Sequence, residues 1–179
     1  MDTPPFPPAA IAAARDAAKA HLRFSGPDED AALGEFAATA LSLAEAFTGV
    51  ALIVREWRQI VASSPRWQSL SIAPVQAIEM VETIGLDGAS EPLPVASYAI
   101  DIDAHAQGRI RLDGAGGARR ARVHFLAGMA DDWAALPAPI RQGVTILTAH
   151  LFEARQAEAA PPAAVAALWR PWRRARIAA

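Results

Sequence analysis

The sequence predicts an α+β fold: a helical bundle from N- and C-terminal helices, with an inserted antiparallel β-sheet lobe. Three observations carry this expectation. Apolar residues recur at three- and four-residue spacing near both ends of the chain, the period of one helical face. From residue 51 the period drops toward two, and β-branched and aromatic residues gather, as in half-buried strands. Glycine-containing turn signals punctuate that middle stretch, as hairpin turns do. The chain therefore reads as one domain in four zones: helices over 1–50, a sheet lobe over 51–128, helices over 129–168 and a basic tail over 169–179.

Ile11 to Leu22 is alanine-rich and predicts the first helix, which ends before Ser25-Gly26-Pro27. Pro27 and the acidic trio Asp28-Glu29-Asp30 suit the positive start of the second helix. Leu33, Phe36, Ala40, Leu43 and Phe47 form its apolar seam, and Gly49 is placed to end it. Strands are expected within Ala51–Ala62 and over Val75–Ile84, the second with Ile78, Met80 and Ile84 on one side and the turn Leu86-Asp87-Gly88 after it.

Tyr98, Ile100 and Ile102 alternate with Ala99, Asp101 and Asp103, and Arg109–Asp113 continues the pattern. Gly114-Ala115-Gly116-Gly117 reads as a hairpin turn into Ala121, Val123 and Phe125, which alternate with Arg120, Arg122 and His124. If Ile102, Ile110 and Val123 share the buried face, then Asp101, Asp103, Arg109, Arg111 and Arg122 share the wet one. Opposite charges across such strands contribute about 0.2–1 kcal/mol per pair, enough to favour a register and too little to imply a function. After Asp131 and Asp132, Pro137 suits a helix start, and Ile140, Val144, Leu147 and Leu151 form the stripe of a helix over 137–155. Beyond Pro161-Pro162, Val165, Leu168, Trp169 and Trp172 share a helical face, with a break expected near Arg170 because Pro171 lies inside the pattern.

Composition narrows the function. At 179 residues, 53% of them hydrophobic and 20% charged, the chain is globular and long enough to bury a core without staples. The absence of cysteine removes disulfides, Cys-zinc sites and thiol catalysis. A formal net charge of −2 argues against a globally basic nucleic-acid binder. Sixteen arginines stand against the single Lys19, a bias that goes with GC-rich codons. The start MDTPPFPPAA has no basic n-region, and the uncharged run Gln142–Phe152 is too short to span a bilayer, so a soluble protein without a membrane partner is expected.

No constellation points to an enzyme. The four histidines fall in four elements, and only His150 and Glu153 share a helical i, i+3 spacing, one ligand short of a metal site. Asp101 and Asp103 share a strand face as paired acid/base carboxylates would, but neighbouring Arg109 and Arg111 would hold both ionised. Ser63, Ser64 and Ser69 lack a nucleophile elbow, and the glycine run lacks the lysine of a phosphate loop. No catalytic residue, metal or cofactor is expected.

The stretch Val123–Arg155 reads as a docking helix hung on a sheet strand. The tail, with Trp169, Arg170, Trp172, Arg173, Arg174 and Arg176, interleaves the residue types that anchor protein interfaces. The same residues could meet phosphates and stack on bases, so a small nucleic-acid-binding protein acting through this tail is the alternative reading.

Several segments, in order, resemble the head–tail connector (adaptor) proteins of long-tailed phages, prophages and gene transfer agents. They are Ala18–Arg23 with Asp28-Glu29-Asp30, Phe47-Thr48-Gly49, Trp57, Pro74–Ile78, and Tyr98 with Ile100-Asp101. Phe125-Ala127-Gly128, Leu136-Pro137, Ile140 and His150–Arg155 form the most recognisable block, and Pro162, Val165, Leu168 and Trp172-Arg173 the closing one. The likeness spans nearly the whole chain. It departs at Phe125 and Ala154, where the family often has tyrosine and asparagine.

The resemblance implies a non-enzymatic ring subunit, usually dodecameric, seated under the portal in the neck of the particle. The ring continues the DNA channel, passes DNA non-specifically and offers its far side to a stopper or tail-completion protein, after assembly in the bacterial host cytoplasm. Trp169, Arg170, Trp172, Arg173, Arg174 and Arg176 are then the expected portal contacts. The exposed faces of helices 28–48 and 137–155 are expected to meet neighbouring subunits, with Ile140, Val144, Leu147, Leu151 and Phe152 as the interface residues.

Overall fold

The computed structural model describes residues 3–85, 88–113, 119–154 and 160–174. Its elements are α1 (Pro8–Leu22), α2 (Asp30–Thr48), β1 (Arg55–Ala62), β2 (Gln68–Ser69), β3 (Val75–Ile84), β4 (Ser90–Pro92), β5 (Tyr98–Ile102), β6 (Gly108–Leu112), β7 (Arg120–Ala127), α3 (Ala138–Glu153) and α4 (Ala163–Trp169). The fold is α+β, with helices at both ends of the chain and antiparallel sheets between them. Two compact units result. One is Phe6–Ile53 with Met129–Ala179, the other Met1–Pro5 with Val54–Gly128.

In the helical unit, α1 starts at Pro8, a turn before the predicted Ile11, because proline at the first position wastes no N–H. α2 starts at Asp30 instead of Pro27, whose carbonyl accepts the Asp30 N–H in the preceding turn. The Lys19 ammonium bonded to Asp30 holds its carboxyl below the usual carboxylate range. α2 ends at Gly49, which takes the left-handed conformation (φ 69°) expected of it.

The buried stripe of α2 is Leu33, Ala37, Ala40, Leu41, Ala44 and Thr48. The predicted seam is therefore rotated: Leu33 and Ala40 are inside, Phe36 and Phe47 are half-buried, and Leu43 is 45% exposed. Alanine is the reason. Ala10, Ala14 and Ala18 of α1 are also buried, and small side chains let helices approach closely, so the bulky residues sit to one side.

The stretch 51–54, read as the start of a strand, begins otherwise. Leu52 and Ile53 are fully buried in the helical core, and β1 begins only at Arg55. The Met129 and Ala130 N–H groups donate to the Ala51 and Leu52 carbonyls (2.9 and 3.1 Å), and Ile53 forms a parallel bridge with Ala130. α3 starts after Pro137 as expected, and α4 gives way to a 3₁₀ turn at Arg170–Trp172, where Pro171 cannot continue the ladder.

The other unit holds two antiparallel sheets, ordered β1-β7-β3-β4 and β2-β6-β5. This corrects the hairpin expected across Gly114–Gly117, which lies outside the described residues: β6 and β7 belong to different sheets, and β7 pairs with β1 and β3 instead. Val123 and Ile110 are buried as expected, but Ile100 and Ile102 lie 45% and 38% exposed on β5, the edge strand of the small sheet. On β3 the register shifts twice, so Val75 and Val81 are buried while Ile78, Met80 and Ile84 are only half-buried. Of the turn after β3, Leu86 and Asp87 fall outside the described residues, and Gly88 (φ 85°) leads into β4 as a hairpin.

The predicted charge ladder forms in part. Asp101 faces Arg109 across β5 and β6 at 3.0 Å, with Asp103 at 3.7 Å from the same guanidinium. Arg122 pairs elsewhere, with Glu82 of β3 at 3.3 Å.

Candidate functional site

The tail residues fall into two groups, buried and exposed. Trp169, expected at the surface, is 3% exposed and belongs to the helical core. Its indole lies where a side chain at Gly143 would go: a Cβ there would sit 2.2 Å from Nε1. The indole N–H donates to the Ile140 carbonyl (3.3 Å), and the ring lies 5.9 Å from Phe47. A tryptophan held this way is structural, so it cannot reach a partner without opening the unit. Arg173 stacks on the Phe47 ring at 5.4 Å, and the Arg174 N–H donates to the Thr48 carbonyl at the end of α2 (2.8 Å). Arg170 is exposed and Trp172 half-buried, while Arg176 lies outside the described residues.

The α3 stripe divides in the same way. Ile140, Val144 and Leu147 are buried within the helical unit, which removes them as surface residues. Their apolar side chains are already satisfied by α1, α2 and α4. Leu151 and Phe152 remain half-buried. Phe152 gathers Phe24 and Phe36 at ring separations of 6.3 and 6.4 Å, a half-open aromatic patch of the kind that anchors interfaces. Further along α2, Leu43 and Phe47 join Pro162, Val165, Ala166 and Trp169 in lining an apolar groove of about 460 Å³.

A polar cluster in the large sheet joins residues with no local spacing to announce it. His124 of β7 lies between Glu56 of β1 and Glu82 of β3, its Nδ1 and Nε2 each 3.2 Å from a carboxylate oxygen. An ionised carboxylate only accepts, so both bonds form together only when the imidazole carries both protons. Arg58 bonds Glu56 (3.0 Å), and Arg122 bonds Glu82 and the Ser90 hydroxyl. The Glu56 carboxyl is held below its ordinary range by the His124 and Arg58 bonds. Burial raises that of Glu82, but the His124 and Arg122 interactions outweigh it and the net shift is also downward.

The sign follows from those depressed values. The share of stability that the Glu56 and Glu82 carboxylates give this clip is present above the unfolded glutamate pKa of about 4.3 and is lost as pH falls through the folded values. Urea melts across acid pH should show Glu82→Gln with a flatter pH dependence than wild type; equal slopes would show that the Glu82 carboxylate does not stabilise the sheet.

Among the described residues no three His, Cys, Asp or Glu side chains are placed to hold a metal ion, and Asp101 and Asp103 both pair with Arg109. Among the described residues no helix is long and apolar enough to cross a membrane.

No family model matches the chain, and no curated protein does. Solved structures do. The chain is similar to one in the neck of an empty gene transfer agent particle computed with C6 symmetry, at 30% identity and TM-score 0.76. It is likewise similar to chains in a native gene transfer agent virion (29%, TM-score 0.73) and in a native neck computed with C12 symmetry (28%, TM-score 0.75). Each likeness covers 99% of this chain and 96% of the other.

Proposed function

We propose that this chain, which belongs to the head–tail connector (adaptor) family, forms a ring beneath the portal of a phage or gene transfer agent particle. It is a structural connector subunit. The observation that carries this reading is the end-to-end likeness, helical and sheet units alike, to chains of gene transfer agent particles, two of them in necks. The C6 and C12 symmetries of those necks support a cyclic assembly, and a dodecamer is the ring we infer. In our reading the ring continues the DNA channel, meets the portal on one side and a stopper or tail-completion protein on the other, and assembles in the host cytoplasm.

For the portal side we assign Arg170, Trp172, Arg173, Arg174 and Arg176, and leave Trp169 to the core. The alternative of a nucleic-acid-binding tail has no support: one of its two tryptophans is buried away from any base, and the similar chains are particle components.

Deleting the gene from its element should yield DNA-filled heads that carry no tails, with free tails accumulating, as seen by electron microscopy. Normal tailed particles from the deletion strain would refute the connector role.

A further inference from the structure

The small sheet ends on a strand edge that no described residue closes. The Asp113 N–H donates to the Ser97 carbonyl (2.9 Å), and the Asp103 N–H to the Gln107 carbonyl (3.2 Å). The register from Tyr98↔Leu112 to Ile102↔Gly108 is unbroken, so residues 97, 99, 101 and 103 bond the β6 side. Tyr98, Ile100 and Ile102 then turn their N–H and C=O groups outward. Among the described residues none of these outward groups has a hydrogen-bond partner.

Proteins ordinarily blunt such edges by brevity, proline, charge or a covering group. The other three edges are blunted in these ways. β2 has two residues, β4 has three and ends in Pro92, and the Ala62 carbonyl of β1 accepts from the Gln68 amide (2.9 Å). β5 has no proline, no lysine and no bulge. It also carries an unfinished apolar row: Ile100 lies opposite the fully buried Ile110, yet it is 45% exposed and Ile102 38%. On the other face Arg111 is matched by Asp113 (3.4 Å), whereas Asp101 and Asp103 share the one guanidinium of Arg109 (3.0 and 3.7 Å).

We propose that the β5 edge is a strand-docking site, where an extended segment of another particle protein, apolar at alternate positions and basic opposite Asp101, adds as a further strand. The inference rests on the connector reading above, which supplies the particle. The outward groups give a docked strand its main-chain bonds, and its apolar side chains would lie beside Ile100 and Ile102 and complete their row. A cation across from Asp101 would match the carboxylate that Arg109 has to share. The β5 of a second copy fits worse, because it brings the same carboxylates across the new ladder. Such a two-fold contact also closes after two chains and builds no ring.

Hydrogen exchange reads this edge directly. In the isolated chain the Tyr98, Ile100 and Ile102 amides should exchange at least about tenfold faster than those of Ala99 and Asp101, and in assembled particles the two sets should become alike. The wild-type chain contains no cysteine, so a benzophenone maleimide on Val95→Cys, 77% exposed and just ahead of β5, labels one place alone. Irradiated particles should give an adduct with a different particle protein. In the same background Ile100→Pro removes an outward donor and no β6 bond, and should lower that adduct about tenfold. Ile100→Lys combined with Ile102→Lys should do the same by placing charge on the edge. Outward amides that stay fast in particles overturn the inference. So does an adduct with a second copy or with nothing, or an undiminished adduct from either variant in folded form. Each of these leaves the connector reading intact. Failure of the wild-type chain to enter particles removes that reading, and this partner with it.

Discussion

Trp169→Ala is expected to lower the stability of the helical unit by about 3–5 kcal/mol, the usual range for deleting a buried tryptophan. The indole fills the space over Gly143 and also satisfies the Ile140 carbonyl, so the variant loses packing and one hydrogen bond together. The complementary change attacks the same contact from the other side. Gly143→Ala places a methyl 2.2 Å from the indole nitrogen, and the ring must leave its site. Both variants should unfold at clearly lower urea concentration than wild type. The double variant should cost less than the sum, because residues in contact couple. Additive losses would show that the two sites act separately.

The second large effect falls on assembly. Replacing Arg170 and Arg174 by glutamate and Trp172 by alanine should leave the helical core standing, because Trp169 remains. Interface anchors of these types are worth about 2 kcal/mol or more each, roughly 30-fold in affinity, so tailed particles should fall by well over tenfold while filled heads persist. The readout is the ratio of tailed to tailless heads, together with co-purification of the chain with portal. Wild-type ratios from a folded triple variant would remove these residues from the portal contact. Truncation after Ala167 is a blunter instrument, since it takes away the core anchor and the surface arginines together.

Much of this molecule is visible in its residue order. The two helical ends, the strand over Val75–Ile84, the glycine that ends α2, the proline that starts α3 and the break at Pro171 all follow from local backbone chemistry, and they appear where that chemistry puts them. What local chemistry misreads is which face of a helix is inside. In α2 only Leu33 and Ala40 of the expected seam reach the core, and Ala37, Leu41, Ala44 and Thr48 complete the buried stripe. The large side chains at positions 36, 43 and 47 were left over for other purposes. The same error, in reverse, put Trp169 outside: an aromatic beside arginines resembles a surface anchor until its partner, a glycine twenty-six residues earlier, is known.

Sheet partnership was the other blind spot. A glycine run between two alternating segments reads as a hairpin whatever sheet the second strand joins. Only the long-range register of β7 with β1 and β3 decides the matter. That register also assembles Glu56, Glu82 and His124, residues with no local spacing to announce them.

The bridge between Ile53 and Ala130 has a further meaning. With the Ala51–Met129 and Leu52–Ala130 hydrogen bonds, it holds side by side the two points where the chain leaves the helical unit and returns to it. Neighbouring exit and return points are the condition under which a whole domain can be inserted, exchanged or shortened without rebuilding its host. The segment from Val54 to Gly128 is thus wired as a cassette. Refitting that cassette to a new neighbour would keep the helical unit, provided that Arg55 still meets the Pro4 carbonyl ahead of α1.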